Sequence, residues 1–278
     1  MLVILMAIGL ALTTAAAFPR AASASPGHPA IIGGRVATES YPFMVSFQFG
    51  KDPGDHCGGA LIAQDWAVTA AHCEDLMKPG KTKVRVGSPD RAKGGVLAGV
   101  KRVVTHPAWG DRNSDLVGDI TLVQLDRKVD LEPIRIADGP GPVGEPSRII
   151  GWGLACEDDR NPACTNDAGP LRELDTVRVP DNRCVGLVGG AEVCSGERSG
   201  RAASACNGDS GGPQLRSVNG RWELIGVTSR DGDDMEPRED GSAGCSTGPD
   251  GKPGVGIWTD VTHYRTWIDK TIAAHSAS

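Results

Sequence analysis

The sequence has few of the features that mark several common protein classes. It shows no cluster of lysine or arginine, and the formal net charge of its 278 residues is −6. A mildly acidic chain without a basic cluster argues against nucleic acid as the main partner. No Cys-x-x-Cys pair occurs among the eight cysteines, so a zinc site is poorly supported, and we expect neither a metal nor a cofactor. Repeats and low-complexity arms are lacking as well, and the 39% of apolar residues suffices for a packed core.

The segment before Ile31 has the pattern of an export signal. Residues 2–18 are apolar and uncharged, and Ala22-Ser23-Ala24 has the small-x-small pattern of a cleavage site. This predicts a signal peptide over residues 1–24 and a secreted, extracellular protein. No lysine or arginine precedes the apolar run, so we expect either a true start that lies upstream or an atypical signal. A membrane anchor is the competing interpretation, although the run is short for one. We expect no stable membrane association.

An even set of eight cysteines in an exported chain predicts four disulfides, although the spacing alone leaves many pairings open.

From Tyr41 onward, the chain reads as short strands separated by Gly, Pro and Asp turns, which favours a sandwich or barrel. The predicted strands are 43–49, 60–62, 66–68, 83–86, 100–104, 120–125, 148–150, 174–179, 222–228 and 256–261. The Gly/Pro-rich residues 138–146 are the expected crossover between two halves. Thr262 can cap a final helix. Its apolar face would comprise Tyr264, Trp267, Ile268 and Ile272.

The stretch from Cys206 to Pro213 places Ser210 among glycines, directly after Asp209. Glycines allow a close approach of the backbone to a ligand, and successive N–H groups in such a turn can converge on an anion. Acyl transfer needs a nucleophilic oxygen and donors for the oxyanion that forms. Taken alone, the motif could also be a surface turn with an unremarkable serine.

A nucleophilic serine needs a base, and the base needs an orienting group. His72 lies in a small-residue setting beside Cys73, and Asp119 lies at the start of an apolar, strand-like run. Alone, the histidine could belong to the core and the aspartate to a turn. Together with Ser210, in the order His72, Asp119, Ser210, they indicate nucleophilic catalysis. The other histidines of this part of the chain, His56, His106, His263 and His275, lack partners at motif spacing and are interpreted as surface or loop residues.

These motifs resemble the trypsin/chymotrypsin family of serine endopeptidases, from Ile31 to about Ala274. The resemblance implies an all-β fold of two packed antiparallel six-stranded Greek-key barrels with a C-terminal helix. Residues 31–278 would form the protease domain, with barrels over about 31–140 and 141–262 and the helix over about 263–274. It also implies that protein or peptide substrates are cleaved, and we expect a monomer.

The resemblance assigns the roles of the catalytic residues. Ser210 would be the nucleophile, His72 the general base and Asp119 the group that orients the imidazole. The N–H groups of Gly208 and Ser210 would form the oxyanion hole.

The run Ile31-Ile32-Gly33-Gly34 resembles the mature N-terminus of the family, so residues 25–30 would be a short propeptide. The resemblance implies that the α-amino group of Ile31, freed by cleavage, pairs with Asp209. A buried carboxylate is costly unless it is paired, so activation would follow the appearance of a new charge. Because Ala30 rather than Lys or Arg precedes the cut, we expect an activating protease that is not trypsin-like.

The resemblance selects three disulfides, and the two remaining cysteines would form a local fourth one. The expected pairs are Cys57–Cys73, Cys184–Cys194, Cys206–Cys245 and Cys156–Cys164. The loop that binds calcium in trypsin is shortened here to residues 87–94 and holds only Asp90, so no calcium is expected there.

The resemblance places Ser204 at the base of the specificity pocket, with Ala205, Ser229 and Gly256 around it. Ser204 provides no carboxylate for a substrate cation, so a trypsin-like preference is not expected, and large apolar or aromatic residues are favoured. Where the family usually has Ser-Trp-Gly, this chain has Ser229-Arg230-Asp231 and then an acidic insertion through Gly244. The insertion is either a solvated loop or a group of acids that attracts basic substrate residues.

Two other classes of protein are alternatives to the endopeptidase. A catalytically weak or inactive binding module could have the same fold, because fold alone does not fix function. An α/β-hydrolase esterase or lipase fits poorly, because that fold has the order Ser, acid, His and alternates strands with helices.

Overall fold

A computed structural model describes residues 31–49, 56–110, 117–157, 164, 169–233, 244, 245, 247 and 252–276. The predicted signal peptide and propeptide lie outside the described residues, as does most of the acidic insertion. No helix in this part of the chain is both long and apolar enough to cross a membrane.

The first barrel is closed by six antiparallel strands. A two-residue strand, β1 (Arg35–Val36), precedes it. The barrel strands are β2 (Met44–Gln48), β3 (His56–Ala63), β4 (Trp66–Thr69), β5 (Lys83–Val86), β6 (Val96–Thr105) and β7 (Thr121–Leu125). Their order around the barrel is β2-β3-β4-β7-β6-β5, so β4 pairs with β7 and β5 returns to β2.

The second barrel is built from the six strands that follow. These are β8 (Pro146–Gly151), β9 (Arg172–Arg178), β10 (Glu192–Glu197), β11 (Pro213–Val218), β12 (Arg221–Asp231) and β13 (Val255–Asp260). Their order is β9-β10-β13-β12-β11-β8, and the pairing of β8 with β9 closes the ring. The strand β1 adds to the edge of β9. The structure therefore confirms the all-β fold with two six-stranded antiparallel barrels.

The sequence patterns missed two strands of the second barrel, β10 and β11. The strand β10 begins and ends with glutamates, yet Glu192 is buried, so its pattern is not that of an apolar run. The strand β11 starts at Pro213, directly after a glycine pair, which are signals typical of a turn. In both cases, pairing within a closed barrel outweighs the local composition.

The C-terminal helix, α1, spans Arg265–Ser276 and thus begins two residues later than expected. Thr262 is therefore not at its N-cap position, which is Tyr264, and the Thr262 hydroxyl donates to Asp260 Oδ1 at 2.6 Å within the preceding turn. The predicted face is confirmed, since Tyr264 and Ile268 are buried in the main core and Trp267 packs against it.

One apolar cluster extends through both barrels. It contains Trp66 and Leu122 from the first barrel, Trp152 and Leu215 from the second, and Ile268 from α1. The expected boundary near residue 140 falls between β7 and β8. The predicted division of the chain into two barrel units at this boundary stays a prediction, because one apolar cluster extends through both barrels.

The buried Glu173 on β9 fixes the N-terminal segment to the second barrel. Its carboxylate accepts hydrogen bonds from Arg35 Nε at 2.9 Å, Thr38 Oγ1 at 2.8 Å and Tyr41 Oη at 2.7 Å. Arg148 on β8 lies 3.4 Å away. Burial alone would raise the pKa of Glu173, but these donors outweigh burial and hold the pKa below its usual value. These contacts hold residues 35–41, which follow Ile31 in the chain, against the second barrel.

The structure contains the four expected disulfides. They join Cys57 to Cys73, Cys156 to Cys164, Cys184 to Cys194 and Cys206 to Cys245.

The loop over residues 88–94 folds around the guanidinium of Arg85. Arg85 Nε donates to the carbonyl of Arg91 at 2.8 Å, Nη2 donates to that of Ala92 at 3.0 Å, and Nη1 donates to that of Gly94. Backbone carbonyls are also ligands that calcium uses. In this chain they already bind a cation that the chain supplies.

We predict that Arg85→Met lowers the free energy of unfolding by about 1–2 kcal/mol, because three carbonyls lose a charged donor. Urea unfolding measures the change, and Lys83→Met, an exposed position on the same strand, is the control. Addition of EDTA should leave the unfolding temperature of the wild type unchanged. A lower temperature after chelation would contradict the expectation that this loop binds no calcium.

Candidate active site

His72 and Asp119 are brought together by the pairing of β4 with β7. Thr69 lies opposite Thr121 in that pair, so the residues just after β4 meet those just before β7. The carboxylate of Asp119 contacts His72 twice. Its Oδ1 accepts the backbone N–H of His72 at 2.9 Å, and its Oδ2 lies 2.9 Å from Nδ1 of the ring. This geometry fixes both the position and the tilt of the imidazole.

The second barrel also holds Asp119. Ser229 on β12 donates its hydroxyl to Oδ2 at 2.6 Å, and Thr259 on β13 donates to the Asp119 carbonyl at 2.9 Å. The side chain is 1% exposed. Burial by itself would raise the pKa of Asp119, but the hydrogen bonds and charge of His72, with the Ser229 hydroxyl, hold the pKa below its usual value. A buried, ionised carboxylate thus faces the histidine.

Ser210 lies in a turn that is wedged between the two barrels. The Gly58 N–H of β3 donates to the Ser210 carbonyl at 2.8 Å, and the Gly211 N–H donates to the Thr228 carbonyl at 2.8 Å. Gly211 has a φ of +71°, and a Cβ there would lie 2.1 Å from Thr69 Oγ1. Only glycine fits both the conformation and the space. The turn therefore abuts the end of β4, from which the His72 segment continues.

The turn presents two backbone donors beside Ser210. The N–H groups of Asp209, Gly211 and Gly212 are taken by the carbonyls of Cys206, Thr228 and Asp209. Within the described residues, no acceptor is recorded for the N–H groups of Gly208 and Ser210. Gly208 has a φ of +93°. The N–H groups of Gly208 and Ser210 are therefore available to bind an anion, while their neighbours hold the turn in place.

Asp209 is buried in a narrow space between two glycines. Its Oδ1 accepts the Gly153 N–H at 2.8 Å, and its Oδ2 accepts the Cys206 N–H at 3.0 Å. A Cβ at Gly151 would lie 2.1 Å from Oδ1. Burial raises the pKa of Asp209 to about 7, although both hydrogen bonds act in the opposite direction. Among the described residues, no cationic side chain pairs with it.

The segment that begins at Ile31 lies against the strand-like residues before the serine turn. Ile31 is fully buried with Ala203 and Trp258, and Ile32 forms a bridge with Ser204, whose N–H donates to the Ile32 carbonyl at 3.1 Å. The structure records no contact between Ile31 and Asp209. Their pairing was predicted for a free α-amino group, which an intact peptide bond from Ala30 to Ile31 does not provide.

A cavity of about 130 Å³ opens beside Ser210. All four predicted pocket residues line it: Ser204, Ala205, Ser229 and Gly256. Of the described residues in its lining, Asp231 alone carries a carboxylate and Arg230 alone a cation.

Sequence reasoning missed Glu192, which is buried and pairs at 2.6 Å with Arg230 of the cavity lining. The two residues are far apart in sequence, and the only signal was that Arg230 occupies the position of the usual family tryptophan.

The histidines interpreted as surface or loop residues lie in different environments, and His106 is in the loop after β6, as predicted. His56 belongs to β3 and lies beside the serine turn, since a Cβ at Gly208 would be 3.1 Å from its Cε1. His106 packs edge-on against Tyr264 and Trp267, with ring centroids 4.8 and 4.9 Å away. Burial lowers the pKa of His106.

Comparisons with known proteins agree with this geometry. The family model described as Trypsin matches residues 31–268. Proproteinase E of Bos taurus is 33% identical over 269 residues, covering 90% of this chain and 97% of its own. Chymotrypsin-like elastase family member 1 of Canis lupus familiaris is 32% identical over 256 residues, with coverages of 88% and 93%.

A solved structure gives the same result for the fold. Neuropsin, a serine protease expressed in the limbic system of mouse brain, superimposes with a TM-score of 0.67 at 29% identity, covering 87% of this chain and all of its own. The chain therefore belongs to the trypsin family of serine proteases, as the resemblance predicted.

We predict that the buried carboxyl of Asp209 makes the unprocessed chain less stable as the pH rises from about 4 to 7. The folded pKa of about 7 lies above the ordinary value for Asp, so the folded state binds the extra proton in this range and stability falls with pH. Asp209→Asn removes the titrating group. The difference in unfolding free energy between wild type and variant should change by roughly 2–4 kcal/mol over that range.

Denaturant unfolding at several pH values measures this difference. Asp138→Asn, whose side chain is 79% exposed, is the control and should give a constant difference. If Asp209→Asn also gave a constant difference, the carboxyl would not be isolated from a cation as described.

Proposed function

We propose that the chain is a secreted serine endopeptidase that hydrolyses peptide bonds through an acyl-enzyme. The observation that carries this proposal is the convergence of Asp119, His72 and the Ser210 turn at the junction of the barrels, beside a cavity. The membership in the trypsin family supports it.

The proposed chemistry assigns one role to each group. His72 takes the hydroxyl proton of Ser210 as the serine oxygen attacks the substrate carbonyl, and the carbonyl becomes an oxyanion. The N–H groups of Gly208 and Ser210 stabilise that oxyanion. His72 then gives the proton to the leaving amine, the C–N bond breaks and the acyl-enzyme remains. Water, deprotonated by His72, attacks the acyl group, and Ser210 regains its proton. Asp119 orients the imidazole and stabilises its charged form.

The edge of β12 beside Ser210 supports a peptide as the substrate. Beyond Val227, β12 pairs with β13 on one side only, and no described strand pairs with the opposite edge at Ser229 and Arg230. An extended peptide can add to such an edge through main-chain hydrogen bonds, with its side chain in the neighbouring cavity.

We further propose that activity requires cleavage before Ile31 by another protease. The new ammonium group would pair with the buried Asp209 carboxylate, which has no cationic partner among the described side chains. The hydrogen bonds from Cys206 and Gly153 place that carboxylate next to the proposed oxyanion donors, so pairing there would fix the turn. Glu173 already holds residues 35–41 in place, so only a short segment would have to move.

The proposed specificity follows from the floor of the cavity. Ser204 and Ala205 are uncharged, so large apolar or aromatic side chains fit better than a buried cation. Gly256 lies against the ring of Trp258, which also lines the cavity, since a Cβ there would be 2.8 Å from Trp258 Cη2. Asp231 lies at the cavity but belongs to the acidic insertion, whose residues 234–243 lie outside the described residues.

We predict that the full chain, once it has been cleaved before Ile31, hydrolyses the peptides of a library after aromatic or large apolar residues. Ser210→Ala should lower the rate by at least about 10³-fold, because it removes the nucleophile. Ser217→Ala, an exposed serine on β11, is the matched control and should retain the rate.

The cleavage profile discriminates the alternatives. Cleavage after Lys or Arg would keep the endopeptidase but contradict the argument from Ser204, and would place the determinant in the acidic insertion. No cleavage by correctly processed, folded protein would favour the binding module.

A further inference from the structure

A bidentate ion pair lies beneath the proposed active site. Arg230 Nη1 lies 2.6 Å from Glu192 Oε1, and Nη2 lies 2.9 Å from Oε2. The two side chains are 11% and 2% exposed. Each ion has a further partner, because Arg230 Nη2 donates to the Gly186 carbonyl at 3.0 Å and the Val188 N–H donates to Glu192 Oε2 at 2.8 Å. The geometry is that of a rigid, bidentate pair, in which the buried Arg230 Nε is left without a hydrogen-bond partner among the described residues.

The pair is connected to Asp119 by one hydroxyl group. Arg230 Nη1 donates to Ser229 Oγ at 3.3 Å, and Ser229 Oγ donates to Asp119 Oδ2 at 2.6 Å. The same Oδ2 lies 2.9 Å from His72 Nδ1. A donor on one side of the hydroxyl oxygen leaves its proton directed to the other side, toward Asp119.

We propose that the Arg230–Glu192 pair is a positioning element of the active site, which acts through Ser229 on Asp119 and His72. Glu192 also cancels the charge that Arg230 would otherwise place near the imidazole. The inference rests on the proposed triad of His72, Asp119 and Ser210. It adds Arg230 and Glu192 as positioning residues.

The cost of burying two charges makes a purely structural role a poor explanation. Replacing a buried ion pair with apolar residues is often neutral or stabilising, whereas removing one partner leaves an uncompensated charge. An uncompensated Arg230 would lie two hydrogen bonds from Oδ2 of Asp119. A positive charge at that distance in a poorly solvated site disfavours protonation of His72.

Other ionisable groups surround the same site and are unchanged in the experiment. They come from four elements: Asp231 on β12, Asp260 at the end of β13, His263 and Tyr264 in the turn before α1, and His106 after β6. The charges of Glu192, Asp260 and Asp119 all act on Tyr264, which places them in one electrostatic environment.

The test is the dependence of kcat/KM on pH for protein processed from the full chain, with the wild type compared with Glu192→Gln. The acid limb of this profile reports protonation of the general base. In Glu192→Gln, the uncompensated Arg230 should move the midpoint of the acid limb down by about 0.5–1 pH unit. A midpoint within about 0.2 unit of the wild type would overturn the proposal.

The matched control is Glu223→Gln. Glu223 also lies on β12 and pairs with an arginine, Arg135, at 3.1 Å, but it has no recorded contact with Asp119, Ser229 or His72. Its acid limb should coincide with that of the wild type. An equal shift in this control would also overturn the proposal, because it would show a general effect of charge.

A second variant covers the case in which Glu192→Gln fails to fold. The double substitution Arg230→Met with Glu192→Met removes both charges and the donor to Ser229 while keeping apolar volume. It should leave the midpoint unchanged and lower kcat about 3–10-fold with little change in KM, since the Ser229 hydroxyl loses its fixed orientation. An unchanged kcat would overturn the positioning role. If the wild type itself showed no cleavage that depends on Ser210, the proposed function would fail instead.

Discussion

The carboxylate of Asp119 is the constraint on which the arrangement of the two barrels depends. Asp119 lies just before β7 of the first barrel. Its carboxylate is held by His72 from that barrel and by Ser229 from the second barrel. The Thr259 hydroxyl secures its backbone as well. A buried carboxylate that lost these donors would be costly, so the barrels are docked in the one geometry that supplies all of them. The alignment of the histidine is a consequence of how the barrels pack.

Asp209 is a second buried carboxylate, but in its case burial outweighs the hydrogen bonds in setting the pKa. Asp119 has enough donors to keep its pKa low, whereas the two backbone donors of Asp209 leave its pKa raised to about 7. This asymmetry agrees with the proposal that cleavage before Ile31 activates the chain. The donors of Asp119 are supplied by folding alone, whereas Asp209 would gain its cation only through the proposed cleavage.

The sequence allowed part of the fold and part of the candidate site to be predicted. The motifs around His72, Asp119 and Ser210 have local signatures, and Ser204 and Gly256, which were predicted to line the specificity pocket, both line one cavity. The strands β10 and β11 were missed because charged ends and a Gly-Gly-Pro start hide their barrel pairing. The partnership of Glu192 with Arg230 could not be predicted, because it depends on how the barrel places side chains from distant segments.

The most direct test of the central claim is labelling with a fluorophosphonate probe, which reacts only with an activated serine. The processed protein should be labelled once, on the peptide that contains Ser210, and His72→Ala and Ser210→Ala should abolish labelling. The unprocessed chain should react far more slowly, because Asp209 lacks its proposed ammonium partner. Absence of labelling in processed, folded protein, or labelling that persists in Ser210→Ala, would contradict the account.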